Sequence, residues 1–167
     1  GLISLAMGKH GAGELNYSSD IDLIVLFRPE LLAVPPGREP LEAAVRITKD
    51  VVRVLHEQTG GGYVFRTDLR LRPDPASTPI AVPVDRAVSY YQTVGQNWER
   101  AALIKARPIA GHVGLGEAFL DELAPFIWRR YFDYASIADI HAMKRQIHVH
   151  KGGETIAIEG HDVKLGR

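Results

Sequence analysis

The chain has 167 residues, with 20 Lys+Arg against 20 Asp+Glu, no Cys, 16 Gly and 10 Pro. Its length suits one ordinary domain or a domain with a small appendage, and 46% hydrophobic with 24% charged residues excludes a disordered or fibrous chain. Zero cysteines rule out a disulfide framework and thiolate metal sites, and a formal charge of +0 removes bulk electrostatics as a case for nucleic-acid binding.

Ile3 to Met7 is short and apolar and runs into glycines at 8, 11 and 13, which predicts a buried strand followed by a flexible turn. No initiator Met precedes this apolar opening, so the chain reads as a piece of something longer. Asp20 to Phe27 is the clearest strand, being β-branched and apolar between Ser18-Ser19 and Pro29. Its run Leu23 to Phe27 is the longest nearly uninterrupted apolar stretch and is far too short to cross a bilayer. No basic segment leads into an apolar one as in an export signal; the expected setting is the cytoplasm, without membrane partners.

Arg28 to Pro40 holds four prolines and a glycine and is expected to be a surface loop. Leu41, Ala44, Val45, Thr48, Val51, Val52 and Leu55 then recur at helical spacing, which predicts an amphipathic helix stopped by Gly60-Gly61-Gly62. Tyr63 to Arg72 reads as a second strong strand, ended by Pro73 and Pro75. Strand, helix, strand points to a mixed sheet with a helix on one face. Helices are predicted near 85–94, 96–106, 115–132 and 134–150, with breaks at Gly95, Pro108 to Gly111 and Asp133, and with Pro125 kinking or dividing the third. Gly152 to Arg167 is expected to form a glycine-bounded hairpin or an unfinished strand. The division is thus 1–112 as a core domain, 113–151 as a helical segment and 152–167 as a truncated ending.

In a strand, residues two apart point the same way. Asp20 and Asp22 therefore share one face, while Ile21, Leu23, Val25 and Phe27 face the core. Such a pair of like charges suits a divalent cation like Mg²⁺, which takes carboxylate oxygens and keeps waters and phosphate oxygens as its other ligands. The plain alternative is a strand entry with two solvated carboxylates. In the second strand, Val64, Arg66, Asp68, Arg70 and Arg72 share a face. If the strands are neighbours, Asp68 joins the first two aspartates, and Arg66, Arg70 and Arg72 ring a multiply charged anion. The alternative here is a solvated face of Arg–Asp pairs worth roughly 0–1 kcal/mol each. The segment Gly8-Lys9-His10-Gly11-Ala12-Gly13 offers backbone N–H groups to a phosphate, but it is neither a Walker loop nor a dinucleotide fingerprint. His141, His148 and His150 lack metal-ligand spacing and read as a solvated helix face, with Ile137, Ile140, Met143 and Ile147 as that helix's core seam. Trp98 reads as a packing anchor and Tyr90-Tyr91 as core. Lys105 and Arg107, near a breaker, could reach a triphosphate or the sheet's acidic rim.

Met7-Gly8, a spacer and Asp20-Ile21-Asp22-Leu23 resemble the nucleotidyltransferase fold of the DNA polymerase β superfamily, although Lys9 stands where that family usually has Ser or a second Gly. Longer strings extend the likeness: Met7 to Gly11, Gly13 to Asn16, Ser18 to Ile24, Arg66-Thr67-Asp68-Leu69-Arg70-Leu71-Arg72-Pro73, Asn97 to Arg100, Lys105 to Arg107 and Phe126 to Tyr131. Together they resemble the glutamate–ammonia-ligase (glutamine synthetase) adenylyltransferases over essentially the whole chain. The string Glu14 to Asp22, Trp98-Glu99-Arg100 and the ending His161 to Gly166 resemble the N-terminal of that family's two nucleotidyltransferase domains.

The resemblance implies an α+β nucleotidyltransferase (DNA polymerase β-like) fold, a mixed sheet with flanking helices, followed by a C-terminal helical segment. It implies phosphorolytic removal of AMP from adenylylated glutamine synthetase to give ADP, with the PII signal protein acting through the full-length enzyme. Asp20, Asp22 and Asp68 would be catalytic and would hold Mg²⁺, two ions in expectation, with Mn²⁺ as a substitute. Gly8, Lys9, Ser19, Arg66, Arg70, Arg72 and Lys105 would bind phosphate and the nucleotides ADP or ATP. Two readings compete: an ATP-dependent domain that adds AMP, and a non-catalytic nucleotide-sensing module of the same fold. A nucleic-acid polymerase is disfavoured by the neutral charge and the missing basic stripe.

Overall fold

The computed structural model describes residues 1–128, together with His141 and Arg145. In chain order the elements are β1 (Leu2–Ala6), α1 (Gly8–Gly11), β2 (Ile21–Phe27), α2 (Pro40–His56), β3 (Thr67–Asp68), β4 (Ala81–Pro83), α3 (Val84–Thr93), α4 (Asn97–Leu103), β5 (Arg107–Gly111) and α5 (Val113–Ile127). They form a mixed α+β sheet with flanking helices. The expected helix 134–150 with its seam, His148, His150 and the terminal hairpin lie outside the described residues; His141 is exposed.

β1 pairs antiparallel with β2 on one side and with β5 on the other. Along its other edge β2 carries two short parallel strands in tandem, β3 beside its start and β4 beside its end. The long strand expected from Tyr63 to Arg72 is therefore only Thr67–Asp68. After Asp68 the chain leaves the sheet edge, turns through the proline-rich segment 69–80 and returns at Ala81, since proline supplies no ladder N–H and fixes its own φ. The glycine segment also differs from the expected turn, because Gly8–Gly11 closes a short helix. The break expected at Pro108 to Gly111 is instead β5, an outer strand where proline is tolerated.

β2 is buried on both faces. Ile24 and Leu26 join Ile3, Leu5, Val82, Tyr91, Phe119 and Leu123 in the main core beneath α3, α4 and α5. Val25 and Phe27 pack on the other side with Ala44 of α2 and Ala81. The expectation that only the odd residues face a core is thus corrected: the aspartate face becomes core from Ile24 onward, and only its first turns of strand remain open. α2 begins with Pro40 at its first position and buries Ala44 and Thr48, so its inner stripe is narrower than the sequence periodicity suggested. α5 runs through Pro125 and ends at Ile127. Among the described residues, no helix is long and apolar enough to cross a membrane.

Candidate active site

The parallel pairing of β2 with β3 sets Ile21 opposite Thr67 and Asp22 opposite Asp68. Register partners on neighbouring parallel strands point to the same face, so Asp22 and Asp68 stand side by side at the open start of β2. Asp20 precedes them by one strand repeat, and the Ile21 N–H donates to the Arg66 carbonyl at 2.8 Å. Burial, then the charges of Asp68 and Asp20, push the Asp22 carboxyl above its ordinary value of 3.8, while Arg70 pulls the other way.

Two arginines serve this cluster. Arg66 Nε donates to Asp20 Oδ1 at 2.5 Å and Arg66 Nη2 donates to the Ser18 carbonyl at 2.6 Å. Arg70 forks onto Asp68, with Nη2 to Oδ2 at 2.5 Å and Nε to Oδ1 and Oδ2 at 3.0 and 2.9 Å, and its own N–H caps Oδ1 at 2.8 Å. That bonding holds the Asp68 carboxyl below the ordinary value of 3.8, with burial opposing it. A carboxylate lowered in the folded state adds stability above its unfolded value and loses it as pH falls through the folded one. Arg70→Gln is therefore expected to flatten the acid limb of the stability profile below about pH 4, read as urea midpoints. An unchanged limb would mean that Arg70 does not keep Asp68 ionised.

The glycine segment supports the same corner. Met7 N–H donates to the Asp22 carbonyl at 2.9 Å. Gly8, at φ 52°, follows with its Cα so placed that a Cβ would lie 3.5 Å from Asp22 Oδ2. A left-handed backbone this close to a carboxylate favours glycine. Arg107 clamps the far end of α1, donating to the carbonyls of Gly11 at 3.1 Å and His10 at 3.3 Å.

A family model described as glutamate-ammonia ligase adenylyltransferase matches residues 1–122. The chain belongs to this family. Its curated relatives include bifunctional glutamine synthetase adenylyltransferase/adenylyl-removing enzymes from Rhizobium meliloti (strain 1021), 60% identical over 167 residues, and from Mesorhizobium japonicum and Caulobacter vibrioides, each 61% identical over 167 residues. Each match covers 100% of this chain but 17% of the relative, so the chain spans about a sixth of their length.

Within this member of the family the residues singled out from sequence do not all gather at one point. Asp20, Asp22, Asp68, Arg66, Arg70 and Gly8 converge on the start of β2. Ser19 lies one residue before Asp20, its hydroxyl bonded to the Asn16 side chain, and Lys9 stands on α1. Arg72 departs from the expected arginine ring. It turns away from the sheet, donating to the carbonyls of Leu69 at 3.0 Å, Pro75 at 2.8 Å and Thr78 at 3.1 and 3.3 Å, because β3 ends before it and alternation no longer governs its direction. Lys105 pairs with Glu14 at 2.9 Å across the glycine segment. Trp98 is not the expected anchor, being exposed on α4 while its neighbours Glu99 and Arg100 are buried.

Among the described residues, no three His, Cys, Asp or Glu side chains already close into a metal cage; Asp20 and Asp68 are turned onto guanidinium groups. The donor chemistry nevertheless fits a hard divalent cation. Three carboxylates lie on one open face, and the central one is penalised by its two neighbours, a penalty that a bound cation reverses.

Proposed function

We propose that this domain removes AMP from adenylylated glutamine synthetase by phosphorolysis: orthophosphate attacks the AMP phosphorus, the tyrosyl oxygen–phosphorus bond breaks, and ADP and free tyrosine result. The observation that carries the reading is the side-by-side placement of Asp22 and Asp68, with Asp20 before them and Arg66 and Arg70 alongside. The adenylyl-removing activity printed in the relatives' names supports it, as do the strings that resemble the N-terminal domain of the family.

Bringing two anionic phosphates together is the main obstacle. Asp20, Asp22 and Asp68 would hold divalent ions, probed as Mg²⁺ or Mn²⁺, which when bound would neutralise charge on the phosphoryl group and its leaving oxygen. Arg66 and Arg70, paired with Asp20 and Asp68, would turn to the incoming phosphate once cations occupy the carboxylates. Ser19 and the Gly8 backbone are the neutral groups that would meet the AMP phosphate. Orthophosphate is already an anion and the leaving phenol has a pKa of about 10, so a strong general base is not required. None stands among the site residues assembled above. The reading places the chain in the cytoplasm, in a protein that answers to the PII signal protein.

Incubating the intact protein with adenylylated glutamine synthetase, Mg²⁺ and orthophosphate is expected to yield ADP in step with loss of protein-bound AMP. Pyrophosphate released from ATP and unmodified glutamine synthetase, lost together with a lesion at Asp22, would instead assign this domain to AMP addition. Nucleotide binding without either product would assign it to sensing.

A further inference from the structure

Arg107 opens β5 and pairs in register with Ala6 of β1, so its main chain is fixed by the sheet. Its side chain reaches back over the glycine segment, where Nε donates to the Gly11 carbonyl at 3.1 Å and Nη2 to the His10 carbonyl at 3.3 Å. Both carbonyls belong to the end of α1, and the last carbonyls of a helix have no partner within it. A charged, planar fork that takes two of them ties the helix end to the sheet.

From that tie, hydrogen bonds run to the carboxylates without a gap. The Gly11 N–H donates to the Met7 carbonyl at 3.0 Å, the Ala12 N–H to the Gly8 carbonyl at 3.1 Å, and the Met7 N–H to the Asp22 carbonyl at 2.9 Å. Gly8 thus lies between two fixed points, and its main chain stands against the Asp22 carboxylate, with the Cβ position 3.5 Å from Oδ2. Arg66 holds Asp20 and Arg70 holds Asp68; against Asp22 stands the Gly8 main chain. Lys105 reaches the same segment through Glu14, but those two side chains are 50% and 62% exposed. An exposed ion pair contributes little, so the fork on main-chain carbonyls is the stronger tie.

We propose that Arg107 is a positioning residue: by tying the end of α1 to β5 it holds the Gly8 main chain against Asp22, and so sets how that carboxylate meets a divalent cation. The assignment rests on the reading of this corner as a cation site and is independent of the direction in which AMP is transferred.

The test titrates the intact protein with Mn²⁺ alone, read as loss of the free-ion signal, and the binding that Asp22→Asn removes defines this corner. Arg107→Met keeps the stem and loses the fork, and it is expected to weaken Mn²⁺ there about 5- to 10-fold. Arg107→Lys keeps the charge without the fork; it is expected to lose about 2- to 3-fold and serves if the methionine variant does not fold. Glu14→Gln should stay within about 2-fold of the parent. Hydrogen exchange at the Gly11 and Ala12 amides should quicken in Arg107→Met, with β2 amides unchanged. A role in stability alone would lower the urea midpoint while folded Arg107→Met binds Mn²⁺ as the parent does, and that result overturns the assignment. So does parent-like affinity in Arg107→Lys where only that variant folds, or a loss in Glu14→Gln as large as in Arg107→Met. Failure of the cation reading shows separately, as Mn²⁺ binding that Asp22→Asn leaves unchanged; the assignment then falls with it, before any change at Arg107.

Discussion

Asp22→Asn in the intact protein is expected to lower ADP formation from adenylylated glutamine synthetase and phosphate by about 10³-fold, roughly 4 kcal/mol of barrier. Asn keeps the shape of the side chain and removes the charge between Asp20 and Asp68, so cation affinity at this corner should fall with the rate. Stability should move the other way. A carboxylate whose pKa is raised in the folded state costs stability as pH climbs past its unfolded value of 3.8, and the full cost applies above the folded value. At neutral pH the variant should therefore unfold at the same temperature or higher. Product assays and thermal unfolding together decide the matter: near-normal phosphorolysis removes Asp22 from the site, whereas lost activity with a lowered unfolding temperature indicts the fold instead.

Gly11→Ala is expected to be the most damaging single methyl group in the glycine segment. Its Cβ would lie 2.7 Å from the Ala6 carbonyl oxygen and closer still to that of Lys105, both main-chain atoms without freedom to swing away. Overpacking of this kind costs about 3 kcal/mol, measurable by urea denaturation. Since α1 starts at Gly8 beside Asp22, displacing it should also shift the site. A misplacement of about 1 Å is worth some 10²-fold in rate. Gly60→Ala serves as the control, because its Cβ meets open space on an ordinary backbone. Equal behaviour of the two variants would show that the packing of Gly11 against β1 and the Lys105 turn is not what holds the segment.

Legibility from sequence varied from one element to the next. β1 and β2 were readable because a short apolar run bounded by glycine or proline has few other uses, and their spans fall within a residue or two of expectation. The Tyr63 to Arg72 segment misled because its alternation is real but unused: pairing partners exist along β2 for Thr67 and Asp68 alone, while Val64 and Phe65 before them donate to the Leu55 carbonyl and segment 69–80 after them turns away from the sheet. Arg66 and Arg70 still reach the carboxylates. Arg72, of the same type and spacing, instead satisfies main-chain carbonyls. Spacing could not separate these fates, because they depend on where the chain leaves the sheet. Glu99 had a faint signal in Gln96-x-x-Glu99, a capping-box pattern, but nothing local said that Tyr90 would bring it a second donor.

By itself the sequence determined the acidic strand start, the helix that follows it, the family and the residue types able to meet a phosphate, since each is a short-range pattern of side chains. Tertiary structure decided that Asp68 stands level with Asp22, that the aspartate face is core beyond them, and which cations remain near the carboxylates. Those outcomes follow from parallel strand register and from which carbonyls are left wanting a donor, and both are fixed only when distant segments pack.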